Sequence, residues 1–246
     1  MQQLHVEVSP NVVYNGYALG RHVEHDLASW AYAVDHTEWF AQLGPLPSVR
    51  RAVLWDRLIP ILNQGRLGSC TGNALTGWLG TRPFADTVMT DRLALLNEDY
   101  AVRRYSRGTE VDAVSGQYPP TDTGSTGNGV CKAARLDGII PGYGWAFTTT
   151  ALIKTLLRQP VIVGVPWYER MFDPTNVGEV LIGGQVVGGH EFLIRGYDPA
   201  GGGMLSCDNS WDTTWGLRGS FLLSVATWNQ LRRQRADVTV PGLQTA

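Results

Sequence analysis

Cysteine is scarce in this chain: Cys70, Cys131 and Cys207 are the whole set in 246 residues, with no CxxC pair and no Cys/His spacing of the metal-ligand kind. An odd, sparse set argues against a disulfide framework and against a structural zinc site. It suits a cytoplasmic or other reducing compartment, and it suits a thiol that has to stay unpaired. Long apolar runs are missing too. The longest, around Val161 to Val165, is far too short to cross a bilayer, so no membrane insertion is expected. Residues Met1 to Ser9 are polar and acidic rather than basic and then apolar, so no signal peptide is visible. There is no basic run, and a formal charge of −2 gives no electrostatic reason to expect nucleic acid as a partner. No internal repeat is apparent.

What is present reads as a globular protein. Hydrophobic residues make up 43% and charged residues 17%, enough to bury a sizeable core as one domain or as two lobes sharing a cleft. Nine tryptophans and 29 glycines point to a loop-rich mixed fold. Residues 1–45 hold four of the five histidines and run into Gly44-Pro45-Leu46-Pro47, which reads as a linker. They are taken as an N-terminal extension or pro-like segment, with one amphipathic helix over Val23 to Phe40, ahead of a domain spanning 46–246.

Within that domain, Ser69 is a plausible N-cap for a helix from Cys70 to Leu79, although Gly72 and Gly77 weaken it on propensity. Leu93, Leu96, Tyr100, Val102 and Tyr105 recur at helical spacing, with Gly108 as a stop. Val111 to Asn128 reads as an ordered surface loop. Shorter helices are expected over Val130 to Leu136 and Thr149 to Arg158. Then the chain turns β-branched: Val161-Ile162-Val163, Phe192-Leu193-Ile194, Met204-Leu205-Ser206 and Ser220 to Leu223 read as strands. Asp198-Pro199 and Gly201 to Gly203 read as a hairpin turn. A helical lobe over 46–158 and a strand-rich lobe over 159–246 make an α+β protein with a cleft between them.

The chemistry centres on four residues. A cysteine at a helix N-terminus feels the positive end of the helix dipole, and an imidazole beside it favours a thiolate–imidazolium pair. Cys70 is placed for the first effect and His190, following Gly188 and Gly189, for the second. Asn209 can accept from the imidazole and fix its tautomer. The Gln64 amide and the Cys70 backbone N–H are suitable donors for the oxyanion of a tetrahedral intermediate. Cys131 and Cys207 read as buried apolar fillers. His5, His22, His25 and His36 read as ordinary surface or core residues, with no metal assigned.

These motifs carry a resemblance. Asn63-Gln64-Gly65 followed by Gly68-Ser69-Cys70, then Gly189-His190 before an apolar strand, then Asn209-Ser210-Trp211 with Trp215-Gly216 after it, together resemble the papain-like cysteine peptidases over about residues 53–225. The resemblance implies a two-lobed fold with an antiparallel sheet or barrel as its second lobe. It implies hydrolysis of peptide bonds in peptide or protein substrates through a thioester on Cys70, with His190 as acid/base, Asn209 as orienter and Gln64 as oxyanion donor. No metal or organic cofactor is required. It further implies that Trp211 shields the histidine–asparagine bond, that Gly124 and Ser125 belong to a strand pairing with substrate backbone, and that Gly164 and Glu191 face the pocket for the second residue before the cleaved bond. Glu191 there would favour a basic side chain. The sequence departs from the family pattern at Thr71, Leu67, Glu191 and Asp212. Transpeptidation, cleavage of cell-wall peptides, and a non-catalytic binding or structural protein retaining the fold remain alternatives. The extension is expected to contact the cleft.

Overall fold

The computed structural model describes residues 11–23, 33, 34, 41, 51–113 and 115–242. The helix expected over Val23 to Phe40 lies almost wholly outside them. In chain order the elements are strands β1 (Val12–Tyr14), β2 (Tyr17–Leu19) and β3 (Val53–Leu54), then helices α1 (Cys70–Leu79), α2 (Phe84–Thr87), α3 (Glu98–Val111) and α4 (Gly127–Leu136). Strand β4 (Tyr143–Trp145), helix α5 (Thr149–Leu156), strands β5 (Val161–Tyr168), β6 (Val186–Asp198), β7 (Met204–Asp208) and β8 (Ser220–Ser224), helix α6 (Val225–Arg232) and strand β9 (Asp237–Pro241) follow. Seven strands form one antiparallel sheet in the order β4-β9-β5-β6-β7-β8, with β3 paired to β6.

Helix α1 covers the expected residues in spite of its two glycines, and tertiary packing explains them. A Cβ on Gly72 would overlap the Ala101 carbonyl of α3 and stand 2.7 Å from the Tyr105 nitrogen; one on Gly77 would stand 2.9 Å from Arg57 Nη1. The glycines let a second helix and a buried guanidinium approach the α1 backbone, which offsets their propensity cost. Gly108, expected as a stop, lies inside α3 and leaves room for Val130 of α4. The same helix starts later than its periodicity suggested. Asn97 caps it by accepting from the Tyr100 N–H, while Leu93–Leu95 forms a separate 3-10 turn. Thr126 caps α4 by accepting from the Gly129 N–H, so the helix begins inside the expected loop.

Two apolar clusters flank the sheet. One joins α1, α4 and β4 around Trp78, Cys131 and Trp145; the other lies over β5 to β8 around Trp167, Trp211, Trp215 and Phe221. Strands β5 and β6 pair from Val161 with Ile194 to Tyr168 with Val186 and contribute residues to both clusters. The hairpin expected after Asp198 joins β6 to β7, with Asp198 opposite Met204. Among the described residues no helix is long and apolar enough to cross a membrane. Gly72→Ala should destabilise the fold by about 1–3 kcal/mol through overpacking against α3, read as a lower urea midpoint with an unchanged slope; an unchanged midpoint would refute this account of the glycine.

Candidate active site

Cys70 opens α1 and is fully buried. The loop ahead of it is held from several sides. The Gln64 N–H donates to the Ser210 carbonyl at 2.9 Å, and Asn63 bridges to Trp211. The Gly68 N–H donates to Asp122 Oδ2 at 2.8 Å, and the Asp122 carboxylate also takes the Tyr105 hydroxyl. Tyr105 in turn accepts from the Gly124 N–H at 2.9 Å, so one buried network ties the nucleophile loop to the glycine-rich segment opposite. Ser69 does not cap α1 through its side chain. Asn73, one turn on, instead donates Nδ2 to the Ser69 carbonyl at 3.1 Å and to Glu98 Oε1 at 3.0 Å.

His190 stands on β6, and Asn209 follows the end of β7. Asn209 Oδ1 lies 2.7 Å from His190 Nε2 and accepts from the Ser210 N–H at 2.8 Å. That backbone donor fixes which end of the amide is oxygen. His190 therefore carries its proton on Nε2 and leaves Nδ1 a lone pair with no hydrogen-bond partner. Trp211 stacks on the imidazole at 4.5 Å between ring centroids, and Trp167 meets it edge-on at 4.9 Å. Asp208, preceding Asn209, is pinned by Arg195 Nε at 2.9 Å and the Ser220 hydroxyl at 2.7 Å. The backbone N–H of Glu191, the residue after His190, lies on the Cys70 side of β6 and helps to pull the thiol pKa down.

The cleft between these two walls is filled by the chain itself. Strands β1 and β2 form a hairpin around Asn15-Gly16, both at positive φ. Tyr14 and Tyr17 pack on Phe172 and Tyr17 on Trp211. Residues 18–23 then run along the trough. The Ala18 carbonyl accepts from Gln64 Nε2 and from Trp211 Nε1, both at 3.2 Å. The Ser125 N–H donates to the Gly20 carbonyl at 2.9 Å and the His22 N–H to the Ser125 carbonyl at 3.0 Å, a parallel bridge; the Arg21 N–H donates to the Gly189 carbonyl at 3.0 Å. The approach is so close that a Cβ on Gly20 would overlap the Gly68 carbonyl, and one on Gly189 the Arg21 carbonyl. The backbone N–H of Gly20 on the strap, like that of Glu191, pulls the Cys70 pKa down.

This burial reverses the expected ionisation. Loss of water, and next the charge of Glu191, push the Cys70 thiol up to about 12, against the opposing pull of the two amides and Arg21. Burial likewise pushes His190 down to about 4 in spite of its bond to Asn209. Cys70 and His190 are thus a neutral thiol and a neutral imidazole here, not a thiolate–imidazolium pair. The helix N-terminus cannot offset the desolvation that the strap imposes.

His190, Asn209 and Trp211 come together, with Gln64 joined to Trp211 through the Ala18 carbonyl; Gly189 and Ser125 hydrogen-bond the strap, Gly124 faces the Gly20 carbonyl, and Cys70 opens the helix that packs on β6. The Gln64 amide is not open to an oxyanion in this state: its nitrogen donates to Leu67 and Ala18, and its oxygen accepts from the Ser210 hydroxyl at 2.7 Å. Gly164 and Glu191 are paired across β5 and β6 beside Arg21. Cys131 and Cys207 are free and buried. Sequence reasoning gave no role to Asp122 or Ser210, which lie inside its motifs, and missed Trp167, Asp237 and Arg21. The Asn15-Gly16 turn signal was there to read, but nothing local ties residues 17–23 to a cleft built 50 to 190 residues later. Among the described residues no cluster of three or more His, Cys, Asp or Glu could hold a metal ion.

The fold has close counterparts among solved structures. Xylellain, a cysteine protease from Xylella fastidiosa, superposes with a TM-score of 0.64 at 17% identity, covering 95% of this chain and 97% of that one. The digestive procathepsin L2 proteinase of the Tenebrio molitor larval midgut gives 0.58 at 18% identity, over 91% and 77% of the two chains. Recombinant stem bromelain precursor gives 0.58 at 15%, over 92% and 77%. The chain thus has the α+β fold of the papain-like cysteine proteases. No family model matches the sequence, and no curated protein matches it.

Because His190 is buried neutral, the unfolded chain binds a proton between pH 6.5 and about 4 that the native chain does not. Its contribution is present above pH 6.5 and is lost as the pH falls through that window, by about 3 kcal/mol at the lower end. Unfolding free energies of the parent chain and His190→Gln, compared at pH 7 and pH 4, should show this slope in the parent and not in the variant; parallel curves would disprove the burial account.

Proposed function

We propose that the chain is a cysteine peptidase of the papain-like kind, held latent by residues 11–23, with Cys70 as nucleophile, His190 as acid/base, Asn209 as orienter and Gln64 as oxyanion donor. The observation that carries this reading is the His190–Asn209 bond, whose tautomer leaves the Nδ1 lone pair unpartnered on the strand against which the helix opened by Cys70 packs. Residues 1–45 are then an extension of which residues 18–23 occupy the substrate cleft, and 46–246 the peptidase domain. The neighbours' identities as proteases, two of them precursors, support the same reading.

Once the strap leaves, water re-enters and the cost of charging the pair falls. Nδ1 of His190 takes the thiol proton and Asn209 holds Nε2–H in place. The thiolate attacks the substrate carbonyl carbon. The oxyanion takes the Cys70 N–H and the Gln64 N–H that Ala18 has vacated, while the Ser210 hydroxyl keeps that amide correctly oriented. His190 gives its proton to the amine nitrogen as the C–N bond breaks, leaving a thioester. It then deprotonates a water that adds to the thioester and expels the thiol. The same thioester serves transpeptidation when an amine replaces that water.

An epoxide inactivator of papain-like enzymes tests the reading. Labelling should map to Cys70, disappear in Cys70→Ala and His190→Ala, and run at least about tenfold faster in a chain beginning at residue 24, where the tethered strap that competes for the cleft is absent. No labelling of either chain under reducing conditions would reject it. Gln64→Ala should lower kcat/KM by about 10²–10³-fold with folding intact; an unchanged rate would remove Gln64 from the oxyanion site.

A further inference from the structure

Two buried amides near the histidine each have one unmatched atom. Asn209 and Asn73 are both 3% exposed. Asn209 Oδ1 takes the Nε2–H of His190 and the Ser210 N–H, but its Nδ2 has no hydrogen-bond partner. Asn73, on α1, is the converse. Its Nδ2 donates to the Ser69 carbonyl, the Ser69 hydroxyl and Glu98 Oε1 at 3.0 to 3.2 Å, while its Oδ1 has no partner. Turning either amide over would set donor against donor at the Ser210 N–H, or acceptor against acceptor at the Ser69 carbonyl. The oxygen and nitrogen ends are therefore fixed by their neighbours.

Both residues line one cavity of about 10 Å³ between α1, β6 and the end of β7. Arg57, Asp208 and Ser210 add polar groups to its wall. A buried donor and a buried acceptor left unmatched each cost free energy. A polar cavity of this size has room for one water, and a water can serve both atoms at once. Its oxygen accepts from Asn209 Nδ2, and one of its hydrogens goes to Asn73 Oδ1.

We propose that this cavity binds one structural water joining Asn209 Nδ2 to Asn73 Oδ1, and that Asn73 acts through it as a positioning residue for His190. The positioning role rests on the peptidase reading above; the water site stands without it. Rotation of the Asn209 amide would bring Nδ2 to the His190 N–H, donor against donor, and leave the imidazole free to turn or to change tautomer. The water pulls Nδ2 the other way and keeps Oδ1 on the ring. Asn73 is itself held by Glu98, whose other oxygen accepts from the Asn63 N–H at 3.0 Å. The helical lobe thus holds the amide of the sheet lobe through a single water. Glu98 ties that link to the loop that carries Gln64.

A crystal structure of the full chain that resolves ordered waters tests the site. One water should lie about 2.7–3.2 Å from both Asn73 Oδ1 and Asn209 Nδ2. No water at that place, or a direct bond between the two amides, would overturn the proposal. Labelling of Cys70 in the full chain by the epoxide inactivator tests the role. Asn73→Leu fills the place of the amide and offers no acceptor. Its saturating labelling rate should fall at least about tenfold, with the half-saturating concentration unchanged. Asn73→Asp keeps an oxygen toward the water and gives up the donor to Ser69 and Glu98. It should unfold at lower urea, yet label within about threefold of the parent rate. Asn73→Met provides the same comparison should the leucine chain fail to fold. Equal slowing in the aspartate and leucine chains would mean that Asn73 only holds the nucleophile loop, and a leucine chain as fast as the parent would leave it no role; either overturns the positioning. A water in place with no labelling of any chain would keep the water site and remove the peptidase reading, and the role with it.

Discussion

The close backbone contact of residues 18–23 with the walls of the trough closes the site over the buried Cys70 and His190, the imidazole being enclosed by Trp167 and Trp211 as well. The ionisation of the site in this state depends on that closure. Gly20 against Gly68, and Gly189 against the Arg21 carbonyl, bring main chain to main chain with no space for a side chain between. The strap then satisfies its own polar groups on Ser125 and Gly189, and on Gln64 and Trp211, as a buried segment must. With solvent excluded, the desolvation of a thiolate and an imidazolium outweighs what a helix end and two amides return. Thiol and imidazole are both held neutral.

The two walls are stiffened independently of the strap. On one side Asp122 holds Gly68 and Tyr105, and Tyr105 holds Gly124. On the other, Asp208 is clasped by Arg195 and Ser220, with Arg57 Nη1 at 3.5 Å, directly before Asn209. Trp167 and Trp211 enclose the imidazole. Departure of residues 11–23 therefore removes a lid without removing the supports of the thiol, the imidazole or the amide. Such pre-organised supports give a site its precision.

The fold class and the candidate residues stood out in the sequence more clearly than the helix boundaries, and the reason is physical. Gln64, Cys70, His190 and Asn209 catch the eye because acyl transfer would need those groups whatever surrounds them, and local glycines mark where backbone must come close. The helix boundaries were less legible. Gly72 and Gly77 lowered a helix on propensity that packing with Ala101, Tyr105 and Arg57 makes secure. Gly108 looked like a stop and is a contact with Val130. Strand β9 and Asp237 on it went unseen, because a short strand in a polar stretch shows its worth only in a sheet. The ionisation of Cys70 was misjudged for the same reason: the helix end is local and the strap is not.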